Sequence, residues 1–87
     1  MNHHHRKILH AFFAHPVSAN IEFRDVEHVM VMLGAEVDAK TGNRVDVALN
    51  GQTTVLHRNH DTLTKVDVLH IRKFLEGCGI SPEAFPV

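Results

Sequence analysis

The chain has no tryptophan, no tyrosine and a single cysteine among its 87 residues. One cysteine cannot close an internal disulfide, and a Cys-rich zinc fold is excluded with it. A reducing, intracellular setting fits best. The core must therefore rest on Val, Leu, Ile and five Phe. Long apolar runs are also missing. Nothing approaches the roughly 20 residues of a membrane span. The short stretch from Ile8 to Ala14 is broken by His10 and followed by His15-Pro16, unlike the uninterrupted apolar core of a secretory signal. The expectation is an untargeted, cytoplasmic chain without membrane contact. A charge excess of one sign is lacking too: the net charge is −1 with histidine neutral. This argues against a protein that holds nucleic acid by bulk attraction. Nine histidines qualify that conclusion, because partial protonation adds positive charge as pH falls toward about 6.5.

What is present suits one folded domain. With 44% hydrophobic and 22% charged residues the chain is not mainly disordered, and its length allows one core. Over residues 6–14, Leu9, Phe12 and Phe13 fall at i, i+3, i+4, which predicts a short amphipathic helix. Pro16 ends it near Ala14, and residues 16–20 read as a linker. From Arg24 to Leu33, apolar residues at Val26, Val29, Met30 and Leu33 predict a second helix, with Phe23 as a staple before it and Gly34 as the stop. Ala35 to Asp38 reads as a short strand and residues 40–43 as a turn. Arg44 to Leu49 alternates, with Val45, Val47 and Leu49 on one face. Asn50-Gly51 signals a type I′ hairpin, and Gln52 to His57 is the return strand. Thr64 and Asp67 have capping-box spacing ahead of a helix from about Lys65 to Cys78, whose apolar stripe is Val68, Ile71, Leu75 and Cys78. Arg72 and Lys73 read as a solvated face. Ser81-Pro82-Glu83 suggests a final turn with Pro at its first position.

The predicted fold is thus a single α+β domain of order α-α-β-β-β-α, with a three-stranded antiparallel sheet covered by helices. Residues 1–23 form a short helix and linker, and residues 24–87 an α-β-β-β-α unit, the layout of double-stranded-RNA-binding domains. Layout alone does not define function.

Between Arg24 and Ile80 the chain resembles the HicA family of toxins. The resemblance rests on Met32-Leu33-Gly34, Thr41-Gly42-Asn43-Arg44-Val45, Asn50-Gly51, Val55-Leu56-His57-Arg58-Asn59-His60 and Glu76-Gly77-Cys78-Gly79-Ile80. It implies a small hydrolase, an endoribonuclease that cleaves mRNA and is neutralised by a HicB-type antitoxin protein. The family's catalytic histidine stands in a Gly-Ser-x-His context after the turn. Here that run is Gly42-Asn43-Arg44-Val45, so Arg44 occupies the expected position of the histidine.

Metal-independent RNA cleavage needs a base for the 2′-hydroxyl proton, an acid for the leaving oxygen and positive charge on the phosphate. Histidine suits the first two roles and arginine the third. His57 and His60 are therefore the candidate catalytic residues, with Arg44, Arg58 and Lys65 as RNA contacts. Lys65 would open a helix whose exposed N–H groups favour an anion. Pairing in register about Asn50-Gly51 would set Arg44 opposite His57. No cofactor is called for. His57-x-x-His60 supplies too few ligands for zinc without Asp61 or a distant group, and His3-His4-His5 reads as an adventitious chelator. Other readings stay open beside the nuclease. One is a catalytically degenerate relative that binds RNA or an antitoxin-like protein. Another is an interaction domain whose free sheet edge takes up a partner's strand.

Overall fold

The computed structural model describes residues 1–18, 20–40 and 42–87; Ala19 in the linker and Thr41 in the turn lie outside the described residues. The elements run α1 His3–Phe12, α2 Phe23–Met32, β1 Glu36–Ala39, β2 Arg44–Leu49, β3 Gln52–His57 and α3 Lys65–Gly77, then a single 3₁₀ turn Pro82–Ala84. The order is α-α-β-β-β-α, a small α+β domain with an antiparallel sheet in which β2 is central. No described helix is long and apolar enough to cross a membrane.

The local signals act where they stand in the chain. Asn50 and Gly51 both take positive φ, 51° and 79°, the pair of values a type I′ turn demands. The register that follows pairs Leu49 with Gln52 and Arg44 with His57. Along β2 burial alternates strictly: Val45, Val47 and Leu49 are buried, while Arg44, Asp46 and Ala48 lie on the other face. The Thr64 side chain accepts the N–H of Asp67, and the Asp67 carboxylate accepts the N–H of Thr64, closing the capping box at the start of α3. At the end of α2, Gly34 has φ 94° and the Ala35 N–H reaches back to the Met30 carbonyl at 3.0 Å. This is a Schellman closure.

Gly51 and Gly77 separate backbone geometry from space, because an added Cβ would meet nothing within 4 Å at either one. Gly51 needs the left-handed region; Gly77 ends a helix. Gly51→Ala is therefore expected to cost about 1–2 kcal/mol, and Gly77→Ala to gain about 0.5–1 kcal/mol. Urea titrations of the two variants check the opposite signs.

The helices cover one face of the sheet. The core joins Leu9 and Phe12 of α1, Phe23, Val26, Val29 and Met30 of α2, Val45, Val47 and Leu49 of β2, Leu56 of β3, and Val68, Ile71 and Leu75 of α3. The first helix is thus built into the same core as the rest. It also begins earlier than its apolar spacing indicates, at His3 instead of residue 6, because the Asn2 side chain accepts the His5 N–H at 2.8 Å and caps it there. The histidine run lies on this helix, with the His4 and His5 rings 5.8 Å apart and His5 again 5.8 Å from His28 of α2.

Arg72 differs from the solvated residue its place beside Lys73 suggests. It is half-buried, and its guanidinium donates to the carbonyls of Phe12 and, at 2.7 Å, Ala14. These carbonyls sit at the C-terminus of α1, where backbone acceptors lack helical partners. The planar fork of arginine serves both at once. Arg72→Ala should lower stability by about 1.5–3 kcal/mol, and Arg72→Lys should recover only part of the loss. Chemical denaturation of the two variants measures this.

Candidate functional site

The β2–β3 ladder places Arg44 and His57 opposite each other. Facing residues of an antiparallel pair project on the same side, so both belong to the face away from the helices. The pairing continues one step further, with the Arg58 N–H donating to the Asn43 carbonyl at 2.7 Å. Beyond it the chain turns into a loop with His60 exposed. The loop is tied down: the Phe23 N–H donates to Asp61 at 2.7 Å, and the Leu63 N–H donates to Ile21 at 2.8 Å. Leu63 inserts into the core. His60 stands in this loop, three residues past the end of β3.

Arg58 does not join this group. As the next residue after His57 it turns to the helix side, where its guanidinium carbon lies 5.5 Å from the Phe23 ring centroid. There its Nη1 donates to Glu27 at 3.2 Å. The rim at which β2 begins and β3 ends therefore carries Arg44 and His57, with His60 in the loop beyond it, while Arg58 braces the loop against α2. Lys65 is exposed as the first residue of α3. At the same helix start the Asp67 carboxylate accepts the Thr64 N–H within the capping box and meets the positive end of the helix.

Arg44 is itself engaged, its Nε donating to Asp46 at 2.8 Å. The open sheet face carries further carboxylates at Glu36 and Asp38 around a shallow depression of about 480 Å³. Lys40 pairs with Asp38 at 2.7 Å, and that hydrogen bond, together with the charge of Asp38, holds the ammonium above its usual range. Of the three carboxylates on this face, Asp38 and Asp46 are paired, with Lys40 and Arg44.

Some participants left no readable signal in the sequence. Glu27, which holds Arg58, is separated from it by 31 positions, and no local period links the two. The same holds for Thr54 and His70, which share a 2.8 Å hydrogen bond between β3 and α3. Cys78 is buried, its thiol pushed up by desolvation and directed at the Leu49 carbonyl. It is packing rather than a nucleophile. Among the described residues, no three His, Cys, Asp or Glu side chains gather into a group able to hold a metal ion.

Fold and rim together define the class: a small α+β domain with one open sheet face and an Arg–His pair at its end. Compared with protein-family models, curated proteins and solved structures, the chain matches none.

Proposed function

We propose that the chain acts on RNA as a HicA-like, metal-independent mRNA endoribonuclease, restrained by a HicB-type antitoxin protein. The observation that carries this reading is the cross-strand pair Arg44–His57, with His60 in the loop that continues from the same strand. On this reading one imidazole accepts the 2′-hydroxyl proton as that oxygen attacks the adjacent phosphorus. The other imidazole donates a proton to the departing 5′-oxygen. Arg44, swinging away from Asp46, carries the charge that builds on the phosphate. Side chains alone balance the reaction.

A second reading is favoured by one specific feature. Arg44 and Arg58 are each neutralised by a carboxylate, as in a binding module that has lost cleavage and retains RNA or an antitoxin-like protein as its partner. Incubation of the purified protein with single-stranded RNA in EDTA, over a series of salt concentrations, separates the two. Cleavage supports the nuclease. Intact RNA, bound with an affinity that falls steeply with salt, supports the binding module. Intact and unbound RNA rejects an RNA role and leaves a protein partner.

A further inference from the structure

The outer edge of β3 faces solvent beside the flank of α3, and together they form a furrow that meets the rim at His57. The ladder fixes which backbone groups are free. Leu49 and Gln52 close the hairpin, and the Arg58 N–H donates to Asn43. Gln52, Thr54 and Leu56 therefore bond inward to β2, and Thr53, Val55 and His57 turn their N–H and C=O groups outward. The two edges of the sheet differ in how they are guarded. β1 carries Glu36 and Asp38 within four residues, and charge on an edge discourages pairing. The six residues of β3, Gln52 to His57, include no Asp, Glu, Lys or Arg.

Below this edge lie two depressions on either side of the Thr54–His70 hydrogen bond. The larger, about 300 Å³, is floored by Phe23, Leu63 and Ile71 and walled by Val66, a residue 75% exposed. The smaller, about 210 Å³, lies between Gln52, Lys73 and Phe74. The ionisable groups of the furrow are unevenly placed: Asp67 lies in the larger depression, and the smaller one has His70 and Lys73 with no carboxylate among its lining residues. His57 also lines the furrow, and Asp67 accepts the Thr64 N–H at 3.0 Å in the capping box.

We propose that this furrow is a docking site for an extended, acidic segment of a partner protein, which adds to β3 as a fourth strand. The pleat dictates the match. Side chains of the added strand opposite Leu56 and Gln52 enter the two depressions and are apolar. The one between them, opposite Thr54, meets His70 and Lys73 and is acidic. A second copy of this chain is a poor occupant, because pairing β3 with β3 about a two-fold axis brings His70 and Lys73 of both α3 helices together. The inference stands apart from the RNA reading, and its test leaves His57, which borders both surfaces, untouched.

The probe is a labelled peptide, blocked at both ends, with the core Leu-Thr-Glu-Thr-Leu. Its counterpart has Lys in place of Glu. Fluorescence anisotropy should show binding of the acidic peptide and a Kd about three- to tenfold weaker for the basic one. Val55→Pro removes an outward N–H without touching the β2 ladder, and should weaken the acidic peptide by about tenfold or more. Lys73→Glu should reverse the preference between the two peptides. In the native protein, amide exchange of Thr53, Val55 and His57 should slow when the acidic peptide is added, a readout that holds even if the proline variant misfolds. Failure of the acidic peptide to bind, equal binding of both, unchanged exchange at those amides, or a β3-paired dimer in solution would each overturn the proposal. None of these outcomes bears on RNA cleavage.

Discussion

Phe12→Ala is expected to destabilise the protein by about 3–5 kcal/mol, the usual cost of emptying a fully buried aromatic site. Phe12 is 0% exposed and shares the core with Leu9 of α1, Val29 of α2 and Leu75 of α3. Its carbonyl also receives the Arg72 guanidinium, so the ring and its backbone both hold α1 to α3. Small domains have a total stability of about 5–15 kcal/mol, and a loss of this size leaves a substantial unfolded fraction at the lower end. A urea titration monitored by circular dichroism measures it as a drop in midpoint at constant slope. A change below about 1 kcal/mol would mean that α1 is an appendage to a self-sufficient α-β-β-β-α unit.

The second large effect concerns the rim. If the chain cleaves RNA as proposed, His57→Ala and His60→Ala should each lower the cleavage rate by about 10²–10⁴-fold, the range associated with a positioned acid or base. Both side chains are exposed, so the variants should keep their stability within about 0.5 kcal/mol, and lost activity cannot be traced to unfolding. Asp46→Asn provides an independent arm. It releases Arg44 from its 2.8 Å partner and removes a carboxylate from the open face, so RNA affinity should rise and its salt dependence steepen. Full activity in both histidine variants would take the imidazoles out of the reaction and leave the rim as a contact surface.

The fold was legible where a physical constraint acts over a few neighbouring residues. Asn50-Gly51 tolerates positive φ at both positions and so dictates the hairpin and its register, Arg44 opposite His57 included. The alternation of Val45, Val47 and Leu49 marks the buried face of β2. Thr64 and Asp67 mark the start of α3. Helix ends were less legible. α1 starts at His3 through the Asn2 cap, a single side-chain contact that carries no periodicity.

The candidate site was legible only in part, and Arg58 and Arg72 show why. Both belong to charged stretches that a local reading assigns to solvent or to a phosphate. Arg58 lies over Phe23 and bonds Glu27, while Arg72 bonds the end of α1 at Phe12 and Ala14. Each of these partners is far away along the chain, and a long cationic side chain settles on whichever acceptor the packing brings within reach.

Residue order alone thus specified the alternation of helices and strands, the tight turn and which strand positions turn inward, since all of these follow from backbone sterics and side-chain period. Packing decided that the first helix shares the common core, that two arginines serve as braces, and that the outer edge of β3 stays open beside α3. Those outcomes depend on contacts between segments distant in the chain, and such contacts exist only once apolar burial has drawn the segments together.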